Sequence, residues 1–214
     1  MSNFSASYNE ISELLQKGKA KEIVTAVEKA LGEGAPAAEI LEKGLISGMN
    51  IIGGKFSRGE VFVPEVLVAA RAMNRASATL KPALVEAGVK PVGRAIICTV
   101  KGDLHDIGKN LVRMMIEGKG IEAIDLGVDC SSEKIVETVQ NSDAKVVCLS
   151  ALLTTTMLSQ KDTIDALKAA GIRDKVKVMV GGAPVTQSYA AEIGADAYTP
   201  DAASAADVCR SYFN

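Results

Sequence analysis

Tryptophan, long apolar runs and long basic runs are all missing from this sequence, which has one histidine and 4% aromatic residues among its 214. Lys and Arg number 24 against 26 Asp and Glu, and the two signs are interspersed, so the basic patch of a nucleic-acid-binding protein is absent. No apolar run approaches the roughly 20 residues of a membrane-spanning helix. The first residues lack the charged and apolar regions of a secretory signal peptide. We therefore expect a cytoplasmic protein with neither nucleic acid nor membrane as a partner.

The cysteines are also few, and their spacing excludes the common cysteine motifs. Cys98, Cys130, Cys148 and Cys209 lie far apart and form no CxxC pair, so a zinc-ribbon or thioredoxin-like interpretation has no support. Cys98 and Cys148 lie within strand-like apolar runs, where a buried free thiol is the ordinary case. Free thiols are typical of a reducing compartment, which again favours the cytoplasm.

The first part of the chain, from residue 5 to about residue 90, has helical periodicity throughout. Segments 8–15 and 19–31 are amphipathic and are each followed by glycine. Two further segments begin at Pro36 and Pro64, and proline suits the first turn of a helix. With 48% hydrophobic residues, the chain has ample material for a core. Four helices with short connections predict a small antiparallel bundle.

A change of rhythm divides the sequence into two predicted domains. Residues 81–93 contain two prolines and two glycines, which is typical of a boundary, and we predict a helical domain at 1–91 and a second domain at 92–214. From Arg94 onward, apolar runs alternate with amphipathic ones, which favours a parallel sheet covered by helices on both faces. The predicted strands are 94–100, 121–126, 145–150, 176–180 and 196–199, and the predicted helices are 108–118, 131–141, 156–170, 187–193 and 201–213. The fold class is therefore α/β, with a four-helix bundle followed by a Rossmann-like (flavodoxin-like) sheet of five parallel strands in the order 2-1-3-4-5.

The sole histidine follows the first predicted strand. His105 lies in the loop Lys101–Gly108, with Asp103 two positions before it and Asp106 directly after it. A carboxylate beside an imidazole can accept one N–H, set the tautomer and leave the other nitrogen free for a metal. Gly108 is expected to let the backbone turn tightly and approach a large flat ligand. A lone histidine in a loop is more commonly an ordinary solvent-facing side chain. Evidence for a ligand role of His105 therefore has to come from the neighbouring loops.

Two further loops, one polar and one rich in glycine, follow predicted strands. Residues 150–156 (SALLTTT) follow the third strand, and Gly181-Gly182 follows the fourth. In the order 2-1-3-4-5, a ligand crevice opens at the carboxyl ends of strands 1 and 3. The three loops are thus predicted to converge on one edge of the sheet and to bind a ligand there.

These loops carry a resemblance to a known family. The motifs are Asp103-x-His105-x-x-Gly108, then Ser150-x-Leu152, then Gly181-Gly182. In this order and at this spacing they resemble the fingerprint of the cobalamin-binding domain that methionine synthase shares with some mutases. The helical part, from Gly48-Met49-Asn50 to Val63-Pro64-Glu65, is similar to the four-helix cap that precedes that domain in methionine synthase. Proteins with only these two parts are the corrinoid proteins of anaerobic methyl-transfer systems.

The resemblance implies a role for each residue that matches the family's motifs. His105 is implied to be the lower axial ligand of cobalt, with Asp103 as its hydrogen-bonding partner and Thr156 as the hydroxyl residue beyond it. The implied cofactor-binding residues are Glu42, Phe56, Val63, Gly102, Asp103, Leu104, His105, Asp106, Gly108, Ser150, Leu152, Thr154, Gly181, Gly182 and Ala202. Phe56 and Val63 match apolar residues over the methyl-bearing face of the cofactor, and the family often has leucine where Val63 stands.

The implied cofactor is cobalamin, as methylcobalamin or a related corrinoid, and the implied function is carriage of a methyl group on its cobalt. A substrate:corrinoid methyltransferase would load the methyl group from a methylamine, methanol, methylthiol, betaine or aryl methyl ether. A methylcorrinoid:acceptor methyltransferase would remove it, and a reductive activase is a further implied partner. The chain would then be a methyl-carrying subunit of a multi-component system and not a complete enzyme.

Other classes of protein offer alternative interpretations. The cobalamin-binding subunit of a mutase uses the same fingerprint but needs a large catalytic barrel and no cap. A cobalamin-based sensor could share both parts but should add a DNA-binding or output module. A receiver-like signalling domain needs acidic residues clustered at the strand ends, and the loop of His105 and the glycine pair argue against it.

Overall fold

The first part of the chain is helical, in a computed structural model that describes residues 4–214. Helix α1 is Ser5–Gln16, α2 is Glu22–Gly32, α3 is Ala37–Glu39, α4 is Ser47–Ser57 and α5 is Val63–Glu86. Helices α3 and α4 are joined without a break by wide π-helical turns at Ile40–Ile46. Because α3 and α4 form one continuous rod, the region has the four helical rods that the sequence predicted.

Small residues let two of these rods approach closely. A Cβ on Gly44 would lie 2.9 Å from Cγ2 of Ile11, and one on Gly48 would lie 3.1 Å from the carbonyl oxygen of Ser12. Both glycines therefore place the backbone of their rod against α1. Around this contact the helices bury apolar side chains, among them Ile11, Leu15, Ile40, Leu45, Met49 and Ile52.

The first half of the segment at 81–93, which was predicted as a linker at the domain boundary, is helical. Helix α5 runs through Pro82 and ends only at Glu86. Leu80 is fully buried on this helix, whereas the residues from Lys81 to Glu86 are exposed or half-buried, so the proline removes one backbone donor without ending the helix. Gly88 then ends the helix with φ +68°, and its N–H donates to the carbonyl of Val85 at 3.0 Å.

The second part of the chain is a five-stranded parallel sheet with helices between the strands. The strands are β1 (Arg94–Thr99), β2 (Glu122–Asp125), β3 (Val146–Ser150), β4 (Lys177–Gly181) and β5 (Ala197–Tyr198). The helices are α6 (Ile107–Glu117), α7 (Ser132–Gln140), α8 (Leu158–Ala169), α9 (Gln187–Ile193) and α10 (Ala202–Ser211). The strand order is β2-β1-β3-β4-β5 with every pair parallel, which confirms the predicted topology.

Both faces of this sheet are covered. Ile96 and Val147 point to one face, where they join a buried cluster with Ile135 of α7, Ile164 of α8 and Ile193 of α9. The alternate residues of the same strands, among them Ile97 and Cys148, point to the other face and are also buried. There Cys148 lies beside Cys209 of α10, and α10 packs against α6.

The described chain divides into two compact units, one of residues 4–91 with 118–120, and the other of 92–117 with 121–214. Within residues 4–214, no helix combines the length and the apolar character that crossing a membrane requires.

One prediction concerns the backbone at the end of β4. Gly182 has φ +132°, and a Cβ there would overlap the carbonyl group of Ala151. We expect Gly182→Ala to lower the free energy of unfolding by about 3 kcal/mol or more, because a left-handed residue and an overpacked contact both cost energy. Urea denaturation of the apoprotein measures this.

Gly108→Ala is the matched control, because Gly108 has no positive φ and no atom lies within 4 Å of a Cβ built on it. Its free energy of unfolding should stay within about 0.5 kcal/mol of the wild type, as is usual for exposed positions. Equal stability of the two variants would contradict the close approach at Gly182.

Candidate functional site

The loop between β1 and α6 turns at a glycine, although not at the one that the sequence suggested. Gly102 has φ +82°, and the N–H of Asp103 then donates to the carbonyl of Val100 at 3.2 Å. Gly108 lies in the first turn of α6, where helical backbone needs no glycine. The expectation that Gly108 makes the tight turn is therefore wrong, and Gly102 makes it because only glycine adopts positive φ without a steric cost.

Asp103 is the centre of the site. Its side chain is fully buried, and five donors meet its two oxygens. Oδ1 accepts from the backbone N–H of His105 at 3.0 Å and from the Nδ1 of the same residue at 2.7 Å. Oδ2 accepts from the backbone N–H groups of Leu152 at 2.7 Å and Leu153 at 3.4 Å, and from Oγ1 of Thr156 at 2.8 Å. A single carboxylate therefore ties the loop after β1 to the loop after β3.

These hydrogen bonds determine the charge of Asp103. Burial by itself raises the pKa of a carboxyl, because the charged form loses its hydration. Here the hydrogen bonds from the backbone N–H groups of His105 and Leu152, the His105 ring and the Thr156 hydroxyl outweigh burial, and they hold the pKa of Asp103 well below its usual range. Asp103 is thus an anion, and an anion can only accept hydrogen bonds.

His105 is held by its partner but reaches toward solvent, with half of its side chain exposed. Because the ionised Asp103 only accepts, the Nδ1 of His105 must carry the hydrogen that lies 2.7 Å from Oδ1. The second nitrogen, Nε2, then keeps its lone pair and can bind a metal. The backbone of His105 is also fixed, since Oγ1 of Thr99 donates to its carbonyl oxygen at 2.8 Å.

Thr156 connects the carboxylate to a second acceptor. Its side chain is buried, and its one hydroxyl proton has two possible acceptors, Oδ2 of Asp103 at 2.8 Å and the carbonyl oxygen of Leu153 at 2.9 Å. The hydroxyl therefore links the carboxylate to the backbone of the loop after β3. The structure brings Thr156 to the place beyond Asp103 that the family resemblance implied.

Large apolar side chains are exposed in both of the loops that Asp103 ties together. Leu104 and Ile107 are 72% and 77% exposed, and they flank His105 in sequence. Three further exposed leucines follow β3, namely Leu152, Leu153 and Leu158. An exposed apolar group at the edge of a sheet, around one polar side chain, is typical of a surface that binds a large ligand.

The other predicted residues of this unit lie at the same edge of the sheet. Ser150 ends β3 and pairs with Gly181, which ends β4. Gly182 follows, with its backbone against Ala151. Thr154 is exposed in the loop after β3, Asp106 is exposed just before α6, and Ala202 is buried at the first position of α10.

Three predicted residues belong to the helical unit. Glu42 is exposed within the π-helical turns, whereas Phe56 near the end of α4 and Val63 at the start of α5 are half-buried. Their role toward a cofactor stays a prediction.

Sequence reasoning missed two side chains that shape the site. Thr99, at the end of β1, anchors the carbonyl of His105. Gln160 is fully buried on α8, and its Nε2 donates to the carbonyl oxygens of Leu149 at 3.0 Å and Gly181 at 3.1 Å, so it links the ends of β3 and β4. A glutamine at a core position of an amphipathic helix was the signal that could have identified it.

Comparison with known families gives a match in each of the two units. A family model described as a B12 binding domain matches residues 93–207, and a second model with the same description matches residues 8–81. The first contains His105 and both glycines at the end of β4, and the second contains Glu42, Phe56 and Val63.

Relatives of known name match over most of their length. Dimethylamine corrinoid protein 3 of Methanosarcina acetivorans is 42% identical, over 96% of this chain and 96% of its own. The trimethylamine corrinoid protein of Methanosarcina barkeri is 41% identical over 92% and 95%. Monomethylamine corrinoid protein 2 of M. acetivorans is 44% identical over 86% and 87%.

Two solved structures share the fold. A cobalamin-binding protein from Desulfitobacterium hafniense has a TM-score of 0.81 and 33% identity, over 96% of this chain and 98% of its own. The methanol:cobalamin methyltransferase complex of M. barkeri contains a chain with a TM-score of 0.86 and 27% identity, over 100% of this chain and 81% of its own. The matches span both units at an identity well beyond a shared fold, and this chain therefore belongs to the family of cobalamin-binding corrinoid proteins.

Proposed function

We propose that this protein carries a methyl group on the cobalt of a bound corrinoid, from a methyltransferase that acts on a methylamine to a second methyltransferase that passes it to an acceptor. The observation that carries the proposal is the His105 ring, which Asp103 holds at 2.7 Å in a loop that exposes the apolar side chains of Leu104 and Ile107. A bound corrinoid supplies a cobalt that accepts a methyl group and yields it again, and the protein supplies binding, ligation and protection.

The residues present fit such a cofactor. A corrinoid would need a single nitrogen donor from the protein, and Nε2 of His105 would be that donor. Leu104, Ile107 and Leu152 offer apolar surface beside it, which suits the underside of a large flat ring.

Asp103 tunes His105 as a ligand. A carboxylate that accepts the Nδ1 hydrogen makes the imidazole more basic and fixes the orientation of the ring. With the Nδ1 hydrogen given to Asp103, Nε2 of His105 would be the atom that holds the cobalt. The hydroxyl of Thr156 donates to Oδ2 of the same carboxylate and supports it from the side of the loop after β3.

The methyl donor is proposed at the level of a class. The relatives named for mono-, di- and trimethylamine are 44%, 42% and 41% identical in sequence to this chain. These similar values favour a methylamine as the methyl donor but do not select one of the three. The chain spans nearly the full length of these relatives, and we propose a separate methyltransferase as the partner that activates the donor.

We also propose the cellular setting. All four cysteines are free and buried, which suits the reducing cytoplasm. A reductive activase is a further proposed partner, because a carrier whose cobalt has been oxidised must be reduced before it can accept another methyl group.

The donor class can be tested by reconstitution. We expect the corrinoid-loaded protein, in its reduced form, to be methylated by a methylamine methyltransferase with its amine, as seen by the change in the visible spectrum. A methanol methyltransferase with methanol serves as the matched comparison. Faster methylation with methanol than with any of the three methylamines would contradict the donor class and leave the carrier function intact.

The axial ligand can be tested by isotope labelling, since His105 is the sole histidine. Protein labelled with nitrogen-15 histidine and loaded with cobalt(II) corrinoid should show nitrogen coupling in its EPR spectrum that changes with the label. His105→Ala should lose that coupling. Absence of a histidine-dependent change in the wild type would show that His105 is not the ligand.

The buried charge predicts a pH dependence of the apoprotein. Because the pKa of Asp103 is lowered on folding, its ionised form stabilises the native state at pH values above about 4, the ordinary value for Asp. We expect Asp103→Asn to lower the free energy of unfolding by roughly 2–4 kcal/mol at neutral pH, since an amide cannot accept from all five donors.

This difference from the wild type should shrink as the pH falls from about 4 toward the lower native pKa, because the unfolded wild-type chain then takes up a proton at Asp103 that the native state does not bind. Urea denaturation at a series of pH values measures it. A difference that stays constant down to about pH 2 would contradict an ionised Asp103.

A further inference from the structure

Asp129, in the loop after β2, has an unusual backbone conformation. Its φ is +50°, and no other non-glycine residue between 4 and 214 has a positive φ. Asp tolerates the left-handed region better than most residues, but at a cost that glycine at the same place would avoid. A residue held in this conformation needs an explanation from its contacts.

The contacts of Asp129 all lead to the loop of His105. Its Oδ1 accepts from the N–H of Gly102 at 2.7 Å, and its own N–H donates to the carbonyl oxygen of Asp103 at 3.0 Å. Gly102 is the residue at which that loop turns, with φ +82°. Asp129 therefore holds the N–H of Gly102 and the carbonyl oxygen of Asp103, one on each side of the Asp103 side chain. That side chain is the carboxylate that holds the histidine ring.

The loop that carries Asp129 is itself firmly anchored. Asp125, at the end of β2, accepts from Nζ of buried Lys109 at 2.7 Å and from the N–H of Gly127 at 2.9 Å. The carbonyl of Gly127 accepts from the N–H of Thr99 at 3.0 Å, and the N–H of Cys130 donates back to the carbonyl of Thr99 at 3.0 Å. Asp129 thus lies between Gly127 and Cys130, whose backbones are both hydrogen-bonded to Thr99, and its own position is fixed by them.

On this geometry we propose that Asp129 is a positioning residue for His105, acting through Gly102 and Asp103. The proposal rests on the proposed function, in which His105 binds cobalt. The carboxylate of Asp129 fixes the Gly102 turn, the turn fixes Asp103, and Asp103 fixes the tautomer and direction of the imidazole. Ligands held by an ordered outer shell bind more tightly than free ones, and the loss of such a partner typically costs about 10–100-fold in affinity or activity.

Three substitutions separate the hydrogen bond from the backbone conformation. Asp129→Asn keeps an oxygen acceptor and tolerates the left-handed region. Asp129→Gly removes the acceptor and also relieves the strain of positive φ, whereas Asp129→Ala removes the acceptor and keeps the strain. Asp143→Asn is the control for the loss of an exposed carboxylate, because Asp143 pairs with Arg94 at the opposite end of β1.

The first readout needs no cofactor. In apoprotein labelled with nitrogen-15 histidine, the NMR shifts of the two ring nitrogens report the tautomer of the single histidine. We expect the wild type, Asp129→Asn and Asp143→Asn to show one tautomer with hydrogen on Nδ1, and Asp129→Gly and Asp129→Ala to show a mixture. Unfolding by urea should rank the glycine variant at least as stable as the alanine variant.

The second readout uses hydroxocobalamin as the probe. The glycine and alanine variants should bind it about tenfold more weakly than the wild type and, after reduction to cobalt(II), should show weaker histidine coupling by EPR. The affinity of the asparagine variant for hydroxocobalamin should stay within about threefold of the wild type, which is less than the roughly tenfold expected when the hydrogen-bond acceptor is lost.

A glycine variant with the wild-type tautomer and affinity would overturn the proposal, because Asp129 would then serve only the stability of its own loop. Loss of the tautomer preference in the glycine variant, together with a wild type that shows no histidine coupling to cobalt, would uphold the positioning role. In that case the proposed ligation would fail instead.

Discussion

The site depends on one buried anion. Asp103 has no exposed surface, yet it stays ionised because five hydrogen-bond donors from two loops converge on it. An uncompensated buried charge would be costly, so the carboxylate and its donors stabilise each other only in this arrangement. The same arrangement orders the loops after β1 and β3 and orients His105. One interaction therefore sets the charge, the backbone and the direction of the candidate ligand together.

The sheet makes this convergence possible. In the order β2-β1-β3-β4-β5, the chain moves outward from β1 in one direction and from β3 in the other, so the loops that follow these neighbouring strands part and leave a crevice. His105 follows β1, Leu152 and Thr156 follow β3, and Gly182 follows β4. Parallel pairing places all these loops at the same edge, and the remaining helices serve chiefly to bury the two faces beneath.

A carrier requires little chemistry from its own side chains, and this chain is built accordingly. It offers one imidazole, one carboxylate behind it and an apolar surface around it, and it belongs to a family whose members bind cobalamin. Binding and ligation are functions of the carrier, whereas activation of the donor belongs to a separate methyltransferase in our proposal. The exposed leucines and Ile107 around His105, which would be a liability on an ordinary surface, fit a site that a large cofactor covers.

The sequence by itself determined the elements, the strand order and the ligand loop. Periodicity placed every strand to within about two residues, and the motifs around His105, Ser150 and Gly181 indicated the cofactor. It missed the helical structure of residues 81–86, because a proline within a helix removes one backbone donor and need not end the helix. It assigned the turn to Gly108 in place of Gly102, because composition does not reveal the sign of φ. Only the tertiary structure decided that Thr99, Gln160 and Asp129 support the site, since hydrogen bonds between residues distant in sequence depend on strand register, which no local pattern encodes.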